Sequence, residues 1–242
     1  MKGLSSRVQT RYCVRGQTLV IDLEGRKRVL SSAPQGGGLT VASYILNHQV
    51  DATPSVTGKE SMSFLDPARC LRQLAARMGI RAPTVGLMTA VPMTQVVTAR
   101  GTSDGLWVDC LATVGVTNAV RAGEWPLEGS PGKRSGKPGT INIILVTNGS
   151  LSQAAMVGAV QVVTEAKSCV LRDHDVRSRQ SGAVATGTGT DAVVVASSLR
   201  GHGPFHGYSG THTVIGALVG RVVTDCVTRG LAKAKAWQEA HR

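Results

Sequence analysis

Between Gly139 and Ala196 the chain has few structural options. A glycine–threonine pair, Gly139-Thr140, opens a short apolar run, Ile141 to Thr147. A turn signal, Asn148-Gly149-Ser150, follows, and then an amphipathic stretch from Leu151 to Leu171. Thr186-Gly187-Thr188-Gly189-Thr190-Asp191 leads into a second apolar run, Ala192 to Ala196. Short apolar runs bounded by turn residues read as buried strands, and a longer periodic run reads as a helix. The order is therefore strand, turn, long helix, loop, hydroxyl-rich turn, strand. Each strand carries hydroxyl and carboxamide or carboxylate groups at one end. Rigid strand ends hold such groups in place, and chemistry tends to sit there.

The rest of the chain alternates in the same way. Gln17 to Leu23 reads as a strand, Gly25 to Arg28 as a hairpin turn, and Val29 to Ser32 as the return strand. Gly36-Gly37-Gly38 precedes a predicted helix over Leu39–Asn47; such a turn lets backbone N–H groups approach an anion or an amide oxygen, or simply gives a flexible connection. Asp66-Pro67 is a helix start, with a capping carboxylate and proline at the first position, and Gly79 ends that helix. Thr84–Ala90 and Leu106–Val116 read as strands, and Glu124–Pro138 as a mobile Pro/Gly/Lys loop. A Gly/His-rich loop over 200–213 precedes a last helix, Val214 to Leu231, and a helix-prone polar tail. There is no internal repeat and no linker, so one α+β domain is expected. A basic extension with the first strand (1–28) precedes the domain proper (29–228), and the tail is 229–242.

Composition narrows the function classes. The net charge is +12, but aromatic residues are 3% of the chain and the basic residues are scattered. A nucleic-acid binder gathers its charge on one face and adds aromatic rings to stack on bases, so nucleic acid is not the expected partner. Five widely spaced cysteines with no CxxC pair fit reduced thiols in a cytoplasmic protein. The first residues lack an apolar signal region and no run approaches a membrane span, so neither secretion nor a span is expected.

Several chemistries can be weighed from residue types alone. His202, His206 and His212 lie in a Gly/Pro loop that fixes no ligand geometry, and Asp173-His174-Asp175 reads as surface polarity, so no metal site is expected. Gly187-x-Gly189 is followed by neither a Walker lysine nor a helix, which argues against a phosphate cradle. No Gly-x-Ser-x-Gly elbow is present. Threonine remains: a neighbouring base, sometimes the residue's own α-amine after chain cleavage, can make it a nucleophile. If the two strands lie side by side, Thr140 meets the cluster of Thr186, Thr188, Thr190 and Asp191. Threonines at strand starts also cap backbone groups, and spacing alone favours that plainer role. Glu165 adjoins the apolar face of Ala155, Val162, Ala166 and Val170; Lys167 lies two residues on, and i,i+2 side chains do not face each other, so each needs its own partner.

At this point a set of ordered motifs resembles the adenosylcobinamide amidohydrolases. They are Leu30-Ser31-Ser32-Ala33-Pro34 with Gly37-Gly38-Leu39; Gly86 to Ala90; Gly115-x-Thr117-Asn118-Ala119; Gly139 to Leu145; Thr164 to Lys167; Thr186 to Ala192; and Gly210 to Thr213. The resemblance covers roughly residues 29–228. Gln35-Gly36 and Thr211 depart from the family's usual residues. The resemblance implies a corrinoid-salvage hydrolase with no cofactor, the corrinoid being its substrate. It would cleave the aminopropanol amide of adenosylcobinamide to give adenosylcobyric acid and 1-amino-2-propanol. A homo-oligomer is compatible with this.

The stretch from Gly139 to Ala196 is also similar to the second half of the DmpA aminopeptidase and ornithine acetyltransferase fold. That resemblance implies a four-layer αββα sandwich whose nucleophile, here Thr140, begins a strand and is released by self-cleavage. With that nucleophile, the expected mechanism assigns roles to the other residues. Thr140 would attack, Asn118 would hold the oxyanion, and Thr188 and Asp191 would orient or accept protons, with Glu165 beside them. Ser32, Gly37, Gly38, Thr89, Asn142, Lys167, Thr186, Thr190 and His212 would support the site or contact the corrin rim, and the 124–138 loop and Gly36–Gly38 turn would cover the ligand. A non-catalytic corrinoid-binding protein and a self-processing aminopeptidase remain the alternatives.

Overall fold

The computed structural model describes residues 3–50, 66–125 and 139–240. Most of the expected 124–138 cover lies outside the described residues.

Among the described residues, nine strands form one sheet in the order β1–β6–β7–β9–β12–β3–β4–β5, with β2 also paired to β3. These are β1 (Gly3–Ser5), β2 (Arg11–Arg15), β3 (Thr18–Ser31), β4 (Gly38–Gln49), β5 (Thr84–Thr89), β6 (Val97–Ser103), β7 (Leu106–Val114), β9 (Ile141–Thr147) and β12 (Ala192–Ser197). Short pairs join β8 (Ala119–Val120) to β11 (Gly187–Thr188), and β10 (Ser150–Leu151) to β13 (Phe205–His206). The helices are α1 (Pro67–Arg77), α2 (Gln153–Asp173) and α3 (Val214–Ala240).

The sheet folds back over itself at β3. This strand runs through an irregularity between Asp22 and Lys27, where Glu24 has φ 53° and Gly25 φ 122°. Extra residues in one strand bend it and increase its twist. The inner surfaces of the two halves then meet: Leu19, Ile21, Ile45 and Leu87 pack against Leu111, Ile144 and Val194. Outside one half, α2 and α3 cover Ile143, Leu145 and Val195 with Met156, Val163, Val222 and Val227. Outside the other, Ala75 of α1 packs on Val20 and Leu46. The layers are helices, sheet, sheet, helix, which is the architecture of an αββα sandwich.

Two local expectations are corrected. No hairpin turn interrupts β3, because Arg28 to Ser31 continue the same strand against both β4 and β12. Leu39–Asn47 is strand, not helix: Ile45 and Asn47 point inward and Leu46 outward, a period of two that β-branched and aromatic neighbours such as Val41 and Tyr44 favour. α1 begins as its capping signal predicts, with Asp66 Oδ1 accepting from the Arg69 amide at 2.9 Å. α3 continues through the polar tail to Ala240. By length and composition α2 alone among the described helices is apolar enough to cross a membrane, and its buried face lies on the sheet.

The N-terminal segment is built into the same sheet. β1 pairs with β6, and the buried Asp109 carboxylate accepts from the Gln9 and Thr10 amides and from Arg100 at 2.9 to 3.1 Å.

Candidate active site

Because a long helix separates them, β9 and β12 can pair in parallel, and they do, with Ala192 opposite Asn142. Their N-terminal ends therefore lie side by side. Thr140 is 6% exposed, and its hydroxyl is hydrogen-bonded to that of Thr190. One residue further in, the Ile141 amide donates to Asp191 Oδ1 at 3.0 Å.

Asp191 is the centre of the arrangement. Lys167 Nζ, on the buried face of α2, lies 2.5 Å from Oδ2. The Thr188 amide donates to Oδ2 at 3.0 Å and the Thr188 hydroxyl to Oδ1. A carboxylate has about four acceptor positions, and here four donors occupy them. That favours an orienting role for Asp191 over proton transfer. Gly187 makes room for the ion pair: a Cβ there would sit 2.5 Å from Asp191 Oδ2 and 2.8 Å from Lys167 Nζ.

β8 and β11 bring Asn118 to the same place by setting Ala119 opposite Thr188. The Gly139 amide donates to Asn118 Oδ1 at 3.1 Å. An N–H can only donate, so the carboxamide orientation is set, and Asn118 Nδ2 is the end turned away from Gly139. Thr190 Oγ1 also lies 3.5 Å from the Gly139 carbonyl oxygen. Beneath Thr140, Asn142 Nδ2 donates to Asn47 Oδ1 and to the Met88 carbonyl, both at 2.9 Å, and Asn47 donates to Thr113. Asn142 Oδ1 is fully buried and accepts from no group among the described residues.

The remaining expected residues spread around this centre. Thr186 accepts from the Ala122 amide at 2.8 Å through its hydroxyl, and its carbonyl accepts from Ser168. Thr89 is buried, caps the Val91 amide at 3.1 Å, and follows Met88. Ser32 exchanges two 3.0 Å hydrogen bonds with Val193, tying β12 to the end of β3. Gly37 and Gly38 form the β3–β4 connection; a Cβ at Gly37 would meet the Ala33 carbonyl at 2.5 Å, and Gly38 has φ +81°.

Two expected site residues lie apart from this centre. Glu165 is exposed on α2, because at 3.6 residues per turn a position two before Lys167 is turned to the opposite side. His212 is exposed beside Ser103 and Arg221. Ser103 pairs with Leu106, and Val108 with Thr147, so His212 lies at the far end of β9 from Thr140. Asp173 and Asp175 form ion pairs with Arg172 and Arg177.

The flank of the site is tied by Glu124. Its carboxylate accepts from Ser178 Oγ at 2.6 Å, from Ser181 Oγ, and from the Arg121 amide at 3.0 Å. The serine hydroxyls, Ser178 first, hold this carboxyl below the usual carboxylate range. Sequence reasoning missed Asn47 and Thr113, which come from strands remote from the central stretch.

The family description that matches this chain is adenosylcobinamide amidohydrolase, over residues 1–239. The chain belongs to the adenosylcobinamide amidohydrolase family. This is a family of hydrolases acting on a carbon–nitrogen amide bond. A relative of that name from Methanosarcina mazei is 30% identical over 91% of this chain and 94% of its own length. The uncharacterized protein MJ1613 of Methanocaldococcus jannaschii is 29% identical over 90% of this chain and 86% of its own. The crystal structure of the PH0078 protein from Pyrococcus horikoshii OT3 superposes over 96% of this chain and 83% of that one, with a TM-score of 0.44 at 10% identity. The amidohydrolase motifs from Asn118, Gly139-Thr140, Lys167 and Thr188 to Asp191 are the ones the fold gathers at one end of β9 and β12.

Proposed function

We propose that the protein hydrolyses the aminopropanol amide of adenosylcobinamide, giving adenosylcobyric acid and 1-amino-2-propanol, with Thr140 as the nucleophile. The observation that carries this reading is the Thr140–Thr190 hydroxyl pair set beside the Asp191–Lys167 ion pair. Thr140 Oγ adds to the amide carbonyl carbon. Its proton passes to Thr190 as the Thr190 proton moves to the departing nitrogen, the C–N bond breaks, and the amine leaves. Asn118 Nδ2 donates to the oxygen that becomes negative in between; such a donor is worth about a hundredfold to a thousandfold in turnover. Water then cleaves the Thr140 ester, releasing the acid and restoring the hydroxyl. Asp191 and Lys167 are positioning residues that keep the two strand ends in register. No cofactor takes part, and the five free thiols suit the cytoplasm, where we place the reaction.

A specific contact favours a second reading of the same atoms. Thr190 Oγ1 reaches both the Thr140 hydroxyl and the Gly139 carbonyl. Attack of Thr140 on its own preceding carbonyl would move the Gly139 acyl group onto the Thr140 oxygen and free an α-amine; water would then cleave that ester, splitting the chain and leaving the amine as base. A denaturing gel tells the forms apart, since processing yields two fragments.

The direct test is to incubate the folded protein with adenosylcobinamide and quantify free 1-amino-2-propanol. Equimolar amine and corrinoid acid are expected. Bound corrinoid with no released amine would mean a non-catalytic corrinoid-binding protein.

A further inference from the structure

Asn142 stands two residues beyond Thr140, in line with it. The Gly115 amide donates to the Thr140 carbonyl at 3.0 Å, so the ladder that sets Thr113 opposite Asn142 runs on to Thr140. Alternate residues of a strand share a face and lie about 7 Å apart. That face looks into the sandwich, because Asn142 reaches Asn47 of β4 and the Met88 carbonyl of β5 in the opposite layer. Both bonds use Nδ2, so the free end of the carboxamide is the oxygen. Asn142 Oδ1 is buried and has no hydrogen-bond partner among the described residues. Leaving a buried acceptor unpaired is costly, so such an atom in line with a nucleophile marks a place where a donor arrives.

The surroundings define that donor. Asn47, Thr113 and the Met88 carbonyl, which lie around Asn142 on this face, are neutral, whereas Lys167 meets Asp191 from α2 on the helix side. Asn47, Thr113 and Asn142 have no exposed surface, so a bulky corrinoid side arm does not reach them. A small neutral molecule that donates is required, and water is one. A buried water needs two to four polar partners. Asn142 Oδ1 and the Thr140 hydroxyl are two, and the Thr190 hydroxyl, bonded to that of Thr140, is a third. Two hydrogen bonds of about 2.8 Å each span the distance between residues on one strand face.

We propose that Asn142 Oδ1 holds the water that cleaves the Thr140 ester. Asn142 is then a positioning residue, because a carboxamide oxygen orients a water without taking its proton. The water oxygen adds to the ester carbonyl carbon, and its proton passes to Thr190 as the Thr190 proton moves to Thr140 Oγ1. The C–O bond breaks and the acid leaves. The proposal rests on the amidohydrolase reading above and adds to it the residue that serves the second half of the reaction alone.

The experiment uses the p-nitrophenyl ester of adenosylcobyric acid in place of the amide, because fast acylation leaves ester cleavage to set the steady state. Wild type is expected to give a burst of p-nitrophenol stoichiometric with the protein, then steady release. Asn142→Val is expected to keep the burst and slow the steady phase by about tenfold to a hundredfold, the effect of a misplaced reactant. The corrinoid ester should then accumulate as added mass on the intact chain. Hydroxylamine, which attacks that ester in place of the water and leaves as the hydroxamate, should restore turnover. An unchanged steady phase, or equal loss of burst and steady phase as general damage would give, overturns the proposal. A crystal structure of wild type keeps the idea testable if Asn142→Val folds poorly. It should show a water within hydrogen-bond reach of both Asn142 Oδ1 and the Thr140 hydroxyl; a protein donor on Oδ1, or no water reaching Thr140, counts against the proposal. If wild type cleaves neither the ester nor adenosylcobinamide, the amidohydrolase reading itself falls, and this role for Asn142 with it.

Discussion

At the scale of single residues, the ion pair of Lys167 and Asp191 joins α2 to the start of β12. Both side chains are about nine-tenths buried, at 10% and 12% exposure. Removing one partner of such a pair leaves the other charge without compensation. Lys167→Met is therefore expected to destabilise the fold by about 3–5 kcal/mol, read as a lower chemical-denaturation midpoint, with Asp191→Leu in the same chain recovering much of the loss. A loss below 1 kcal/mol in the single variant would mean that Asp191 is held by its three other donors alone. The hydroxyl cluster from Thr186 to Thr190 was legible in the sequence because strand starts present side chains in order. The phase of α2 was not. Ala166 sits between Glu165 and Lys167, and alanine tolerates either environment, so the pattern left open which neighbour turned inward. Only the packing of Lys167 under Gly187 decides it.

At the scale of elements, close approaches set the geometry. Gly230 of α3 lies against Val114 at the end of β7, where a Cβ would come 2.5 Å from Val114 Cγ2. Gly230→Ala should cost about 1–3 kcal/mol through overpacking. An unfolding midpoint that falls while the denaturant slope stays constant would report it; an unchanged or higher midpoint would show that the helix can shift freely. The turn held by Glu124 gives a pH effect of defined sign. Its folded pKa lies below the ordinary 4.5, so the tie is fully present above that value and is lost as pH falls through the lowered one. Amide resonances of Ser178 and Ser181 should move together in that acidic window and stay fixed above it. Strands and helices with strong caps or strong alternation, such as α1 and β7, were legible. β3 and β4 were less so, because the glycine and basic residues of Asp22–Lys27 look like a hairpin when they form a bulge that bends the sheet.

At the scale of the whole molecule, the bend in β3 turns one sheet into two facing layers and leaves the ends of β9 and β12 at the sandwich mouth. The four layers were legible through resemblance to known families and not through composition, since long-range pairing of β3 with β12 leaves no local signature. Asn118, Thr140, Lys167 and Asp191 were each visible in the sequence as ordered motifs. Their convergence depends on the parallel register of β9 and β12 and on the β8–β11 bridge, which only the fold supplies. The central claim is that Thr140 carries the amide cleavage. Its most direct test is the release of 1-amino-2-propanol from adenosylcobinamide by wild type, Thr140→Ala and Thr140→Ser, with equal thermal unfolding confirming that all three fold. The account predicts release by wild type, weaker release by Thr140→Ser, and none above background by Thr140→Ala. Release by Thr140→Ala at the wild-type rate would contradict it and assign the attack to water.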